Sequence, residues 1–117
     1  MNEALKIARL YFELSNKSDF DGIAKLFTET TTYSSQTTGM YLGRDDILAM
    51  QGQFHAKFSS LNWTVNSVKE VKPGIVLFDY DFAGKLANGE KVSSFGLEYI
   101  IVYQGKIQHV EIRNKAS

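Results

Sequence analysis

The segment Asp19-Phe20-Asp21-Gly22-Ile23-Ala24-Lys25-Leu26-Phe27 constrains this chain more than any other. An amphipathic stretch precedes it, and a run rich in Thr and Tyr, Thr28 to Ser34, follows it. Asp19 suits an N-cap for a short helix whose apolar side is Phe20, Ile23, Leu26 and Phe27. A second junction, Gly39-Met40-Tyr41-Leu42-Gly43-Arg44-Asp45-Asp46-Ile47, reads as an edge strand turning into another helix. Asp45 and Asp46 fall in the first turn of that helix, where acids interact favourably with its dipole. Helix, capped helix, short strand and helix in this order predict a small cone, with a pocket between the helices and a curved sheet.

The flanking segments agree. Asn2 to Asn16 reads as the first helix, with Ala4, Ile7, Ala8, Tyr11 and Leu14 on one face and Asn2 as a candidate N-cap. Arg44 to Phe58 reads as the third, with Ile47, Gln51, Phe54 and Phe58 along one side. The second half is all strand: Leu61–Val71, Ile75–Ala87, Lys91–Tyr103 and Lys106–Asn114. Pro73-Gly74 suits a type II turn, and Asn88-Gly89 and Gln104-Gly105 suit two-residue hairpin turns. The fold class is α+β, three N-terminal helices on a strongly curved, mainly antiparallel sheet.

Turn length sets the faces of that sheet, because side chains alternate. With two-residue turns, Phe82 faces Phe95, Tyr80 faces Leu97, Phe78 faces Tyr99 and Val76 faces Ile101. Tyr99 then meets Val110, and Leu97 meets Ile112. This aromatic and aliphatic side is expected under the helices. The outer side would carry a row of acids, Asp79, Glu98 and Glu111, beside Leu77, Ile100, Val102, Ile107 and His109. Such a row repels itself unless Lys69, Arg113 or a partner intervenes. A mixed apolar and charged face of this kind is expected to pair with a second copy, giving a homodimer. A one-residue bulge at Gln104-Gly105 would change the status of Glu98, His109 and Glu111.

The totals exclude several function classes. A chain of 117 residues is one domain, 1–117. Thirteen basic and thirteen acidic residues cancel, so no field recruits nucleic acid or an anionic membrane. The absence of cysteine removes disulfides, thiol catalysis and thiolate metal sites. No apolar run approaches the roughly 20 residues that span a bilayer. The expectation is a cytoplasmic protein with no metal and no cofactor. P-loop, dinucleotide-binding, zinc-protease and nucleophile-elbow motifs are all missing.

These features resemble the nuclear transport factor 2-like superfamily (cystatin-like fold), including SnoaL-like domains and ketosteroid isomerases. The resemblance spans nearly the whole chain. Its carriers are Asp19-Phe20-Asp21-Gly22-Ile23, Gly39, Gly43-Arg44-Asp45-Asp46-Ile47 and Gly105-Lys106-Ile107. An isomerase of this fold uses a helix-one tyrosine and a protonated aspartic acid as oxyanion donors, plus an aspartate base. The resemblance places Tyr11 as the tyrosine, the base near Ser35 and the acid donor near Tyr99. A serine cannot serve as that base without an activating partner. Steroid isomerisation by that mechanism is therefore not expected, and no catalytic residue is assigned. The expected function is binding of a small hydrophobic molecule. Tyr11, Tyr33 and Tyr99 would anchor it, with Phe54, Phe58, Phe78, Tyr80, Val110 and Ile112 around it. The alternatives are an enzyme acting on a cyclic or polyketide-like substrate, and an interaction module using the outer sheet face.

Overall fold

A computed structural model describes residues 3–114. Helix α1 spans Glu3–Asn16, α2 Phe20–Ala24 and α3 Arg44–Ala56. Strands β1 (Thr32–Ser35) and β2 (Gly39–Leu42) lie between α2 and α3. The long strands β3 (Phe58–Lys72), β4 (Ile75–Leu86), β5 (Lys91–Tyr103) and β6 (Lys106–Asn114) follow. The candidate cap Asn2 lies outside the described residues.

One sheet holds all six strands in the order β2-β1-β6-β5-β4-β3. The β1–β6 pair is parallel, and the other pairs are antiparallel. Asp19 caps α2 as its sequence suggests, accepting from the Gly22 N–H at 3.0 Å. That helix ends at Ala24, short of Phe27. A left-handed Ser18, at φ 53°, sets the sharp corner before it.

The helices cover one face of the sheet. Ala8, Tyr11 and Phe12 of α1, Ile23 of α2 and Ile47 of α3 are buried against Val76, Phe78, Ile100 and Val110. Phe12 stacks on Phe78, with ring centres 4.2 Å apart. Each such apolar side chain contributes roughly 1.5–3 kcal/mol by leaving water.

The sheet corrects the expected register. The β4 residues Val76, Phe78, Tyr80 and Phe82 do face the core. Their β5 partners, however, are Ile100, Glu98, Gly96 and Ser94, one residue along from expectation. The cause is the turn. Gly89 is left-handed at φ 92° but Asn88 is not, so the type I′ form is not adopted. The Leu86 N–H donates to the Glu90 carbonyl at 2.8 Å, closing a three-residue loop, 87–89, in which Gly89 takes the positive-φ position.

Between β5 and β6 the expected two-residue turn does form, with Tyr103 opposite Lys106 and Gln104 and Gly105 both left-handed. A bulge then follows: Ile107 faces Val102 but His109 faces Ile101, leaving Gln108 as the extra residue. The three-residue loop turns Glu98 inward, and the bulge lets β6 present Val110 and Ile112 on that same side. Asp79 therefore meets Leu97, Glu98 meets Ile112, and Glu111 meets Tyr99. The expected row of three acids does not exist. Ile100, Val102 and Ile107, expected outside, are buried. Tyr99, expected inside, lies on the outer side.

Candidate functional site

A cavity of about 490 Å³ opens between the helices and the inner face of the sheet. Phe54, Phe58, Trp63 and Phe82 form an aromatic wall, with Phe54 5.1 Å from Phe58 and Trp63 4.9 Å from Phe82 between ring centres. Asn16 ties α1 to this wall. Its amide donates to the Trp63 carbonyl at 3.0 Å and accepts from the Trp63 N–H at 2.7 Å. Such a two-way bond is what a neighbouring strand would have supplied.

A polar group of Tyr11, Gln51, Tyr33, Ser35 and Glu98 also lines the cavity. Tyr11 comes from the buried face of α1, and Gln51 from α3. The Gln51 Nε2 donates to the Tyr11 hydroxyl at 2.7 Å. That oxygen accepts from Gln51, and the Ser15 side chain also interacts with it. The Gln51 Oε1 has no hydrogen-bond partner among the described residues. Gly96 makes room for Tyr80, since a Cβ there would sit 2.8 Å from the Tyr80 hydroxyl.

Glu98 is the centre of this group. It is only 4% exposed, and no protein donor among the described residues reaches its carboxyl by a hydrogen bond. Burial alone pushes its pKa up to about 8. The acid is therefore mostly protonated at neutral pH. Burial, reinforced by Glu98, also pushes the Tyr11 and Tyr80 hydroxyls up. Tyr33 is raised in the same way, through burial and then the neighbouring Tyr11, Glu98, Tyr80 and Tyr41. All three phenols are thus kept as O–H donors.

At the other side of the cavity, His55 sits against Phe20, Phe54 and Trp63. Its Nδ1 lies 2.8 Å from the Ser18 hydroxyl. Burial pushes its pKa below the ordinary range.

Of the residues singled out in the sequence, Tyr11, Tyr33, Phe54, Phe58, Tyr80 and Ile112 line the cavity. Phe78 and Val110 do not. They are fully buried in the core. Tyr99 does not belong to the site, because the three-residue loop turns it to the outer face. Ser35, at the expected base position, lines the cavity but accepts from the Thr37 N–H at 3.2 Å and offers no base. Glu98 was missed for the reason that moved Tyr99. The signal that could have found it is Gly89 itself, since a glycine at that position also fits the third place of a three-residue loop.

On the outer face, Thr32, His109, Glu111 and Arg113 form a chain of contacts. His109 Nδ1 lies 2.7 Å from the Thr32 hydroxyl, His109 Nε2 lies 2.8 Å from Glu111, and Arg113 pairs with Glu111. Among the described residues no group of three or more His, Cys, Asp or Glu could hold a metal ion. No helix among them is long and apolar enough to cross a membrane.

A curved sheet, three covering helices and a mainly apolar cavity with a polar group in its wall define the nuclear transport factor 2-like class. A profile of the SnoaL-like domain matches residues 8–110, and the chain belongs to that family. No curated protein sequence matches the chain. Among solved structures, an LEH-like epoxide hydrolase from M. tuberculosis superposes with a TM-score of 0.84 at 12% identity. That match covers 97% of this chain and 83% of the other. A candidate SnoaL-like polyketide cyclase from Jannaschia sp. CCS1 gives the same TM-score, 0.84, at 12% identity over 97% and 85% of the two chains. An NTF2-like protein of unknown function from Burkholderia pseudomallei K96243 reaches 0.86 at 11% identity, over 98% and 92%. At these identities the likeness is one of fold.

Proposed function

We propose that this SnoaL-like domain takes a small, largely apolar molecule into its cavity and acts on one oxygen of that molecule through Glu98. The observation that carries the reading is a carboxyl buried in the cavity wall with no hydrogen-bond partner among the described residues. Desolvation keeps it protonated, so it offers a hydrogen bond where an ionised carboxylate could only accept one. Tyr11 offers a second, its oxygen being engaged by Gln51. Two donors aimed at one ligand oxygen stabilise negative charge as it develops there. The proton then passes from Glu98 to that oxygen, leaving a carboxylate that water or product must reprotonate. A pKa of about 8 suits such a transfer near neutral pH.

With Ser35 unable to act as a base, the reaction class is acid-assisted addition of water to a carbonyl, or ring opening of an epoxide by water, the proton that the water loses restoring the Glu98 acid. The compounds named for two of the structural neighbours, epoxides and polyketides, give the first panel to test. A second reading is binding without turnover. It is favoured by Glu98 being the single carboxyl among the lining residues. The two separate on one experiment. Cyclic ketones and epoxides are screened by thermal shift, and those that bind are followed for conversion by NMR. Conversion lost in Glu98→Gln, with binding retained, supports the acid. Binding without conversion by any ligand would sink it.

For the outer face we propose contact with a second copy. Met40, Leu42 and Tyr103 stay 66%, 64% and 62% exposed there. Sedimentation velocity should give a dimer that Leu42→Glu weakens. A monomer at all concentrations would end this reading.

A further inference from the structure

The charge of the cavity is one-sided, and this bears on the charge of what enters it. Among the lining residues there is no Asp or Arg. His55, Lys57 and Glu98 are the only lining groups besides tyrosine that titrate. The first is held neutral at neutral pH by burial, and the last stays protonated for the reason given above. One formal charge remains, the ammonium of Lys57.

Lys57 is the C-cap of α3 and directly precedes Phe58 of the aromatic wall. It is exposed, and no hydrogen bond or ion pair among the described residues engages its ammonium. Its position puts the charge on a four-carbon arm at the apolar end of the cavity. An acidic neighbour would cancel it, and the cavity supplies none that is ionised.

We infer that the cavity selects singly anionic, otherwise apolar molecules, a carboxylate or sulfonate on a ring system, with the anion at Lys57 and the rings on Phe54, Phe58, Trp63 and Phe82. This deepens the proposed function and rests on the same cavity. It also fixes orientation. An anion is disfavoured at the Glu98 end, where no cationic side chain lines the cavity. The neutral oxygen function is left for Glu98 and Tyr11.

The test uses two fluorescent probes with the same aromatic body, anilinonaphthalene sulfonate and its uncharged analogue N-phenylnaphthylamine. Both are titrated at pH 7 and low salt into the native protein and into Lys57→Gln, Lys57→Arg and Ser94→Trp. Ser94 lines the cavity, so a tryptophan there occupies it. The expected result is a preference for the sulfonate of about fivefold, the scale of a partly exposed ion pair. It should shrink with added salt, vanish in Lys57→Gln and persist in Lys57→Arg. Equal binding of both probes, or a preference that survives Lys57→Gln, overturns the inference while leaving the cavity in place. Binding that ignores Ser94→Trp puts the probes outside the cavity, and the underlying reading falls with the inference.

Discussion

Glu98 and Glu111 sit on paired strands, close in space and chemically identical, yet they face opposite worlds. Glu98 points inward, is 4% exposed and has no hydrogen-bonding partner among the described residues. Glu111 points outward, with His109 on one oxygen and Arg113 on the other. Glu111 thus has a basic side chain at each oxygen. A residue stripped of water with none is pushed toward its acid form. The difference teaches that one residue of register, set by the loop at 87–89, decides whether a glutamate here is part of a surface network or part of a site.

The largest test of this contrast is the pH dependence of stability. Below the ordinary value of 4.5, folded and unfolded chains both hold the Glu98 proton. Between that value and about 8 only the folded state does, so stability falls as pH rises through this window. Glu98→Gln removes the effect. At pH 9 it should be more stable than the native chain, by up to about 5 kcal/mol, and at pH 4 the two should match. Urea unfolding at both pH values checks this. An equal difference at both would break the contrast.

Next in size are the neighbours that shape the inner site. Gly96→Ala brings a methyl against the Tyr80 hydroxyl at 2.8 Å and the Arg113 carbonyl at 2.9 Å. It should cost about 1–3 kcal/mol. Tyr11→Phe strands the Gln51 amide beside its already unpartnered oxygen, for about 1–3 kcal/mol. The measured quantity in each is the chemical denaturation midpoint. The smallest effect belongs outside: Glu111→Gln should change stability by about 1 kcal/mol or less, and less again in high salt. A larger loss from Glu111→Gln than from Tyr11→Phe would invert the comparison.

Much of this was legible in the sequence, and the reasons differ by region. Helical spacing placed Ala8, Tyr11, Ile47 and Gln51 on buried helix faces but left out Phe12 and Ser15, which are buried on α1 as well. On β4, Tyr80 and Phe82 alternate with Asp79, Asp81 and Ala83, and this sets the parity that also carries Val76 and Phe78, so its inner face was readable too. On β5 both parities are apolar enough to be core. Phe95, Leu97, Tyr99 and Ile101 compete with Val92, Gly96, Ile100 and Val102, and pattern alone favours the first set. The deciding facts are the three-residue loop ending in Gly89 and the bulge at Gln108. Backbone conformations of that kind leave little trace in composition. That is why Tyr11, Tyr33 and Tyr80 were found in the site while Glu98 was not.

The most direct test is a titration of the Glu98 carboxyl by carbon-13 NMR from pH 4 to 10, assigned by the signal missing in Glu98→Gln. The account predicts a midpoint near 8, with a shift when a cavity ligand binds. A midpoint near the ordinary 4.5 would contradict it, because the carboxyl would then be ionised at neutral pH and unable to act as the acid.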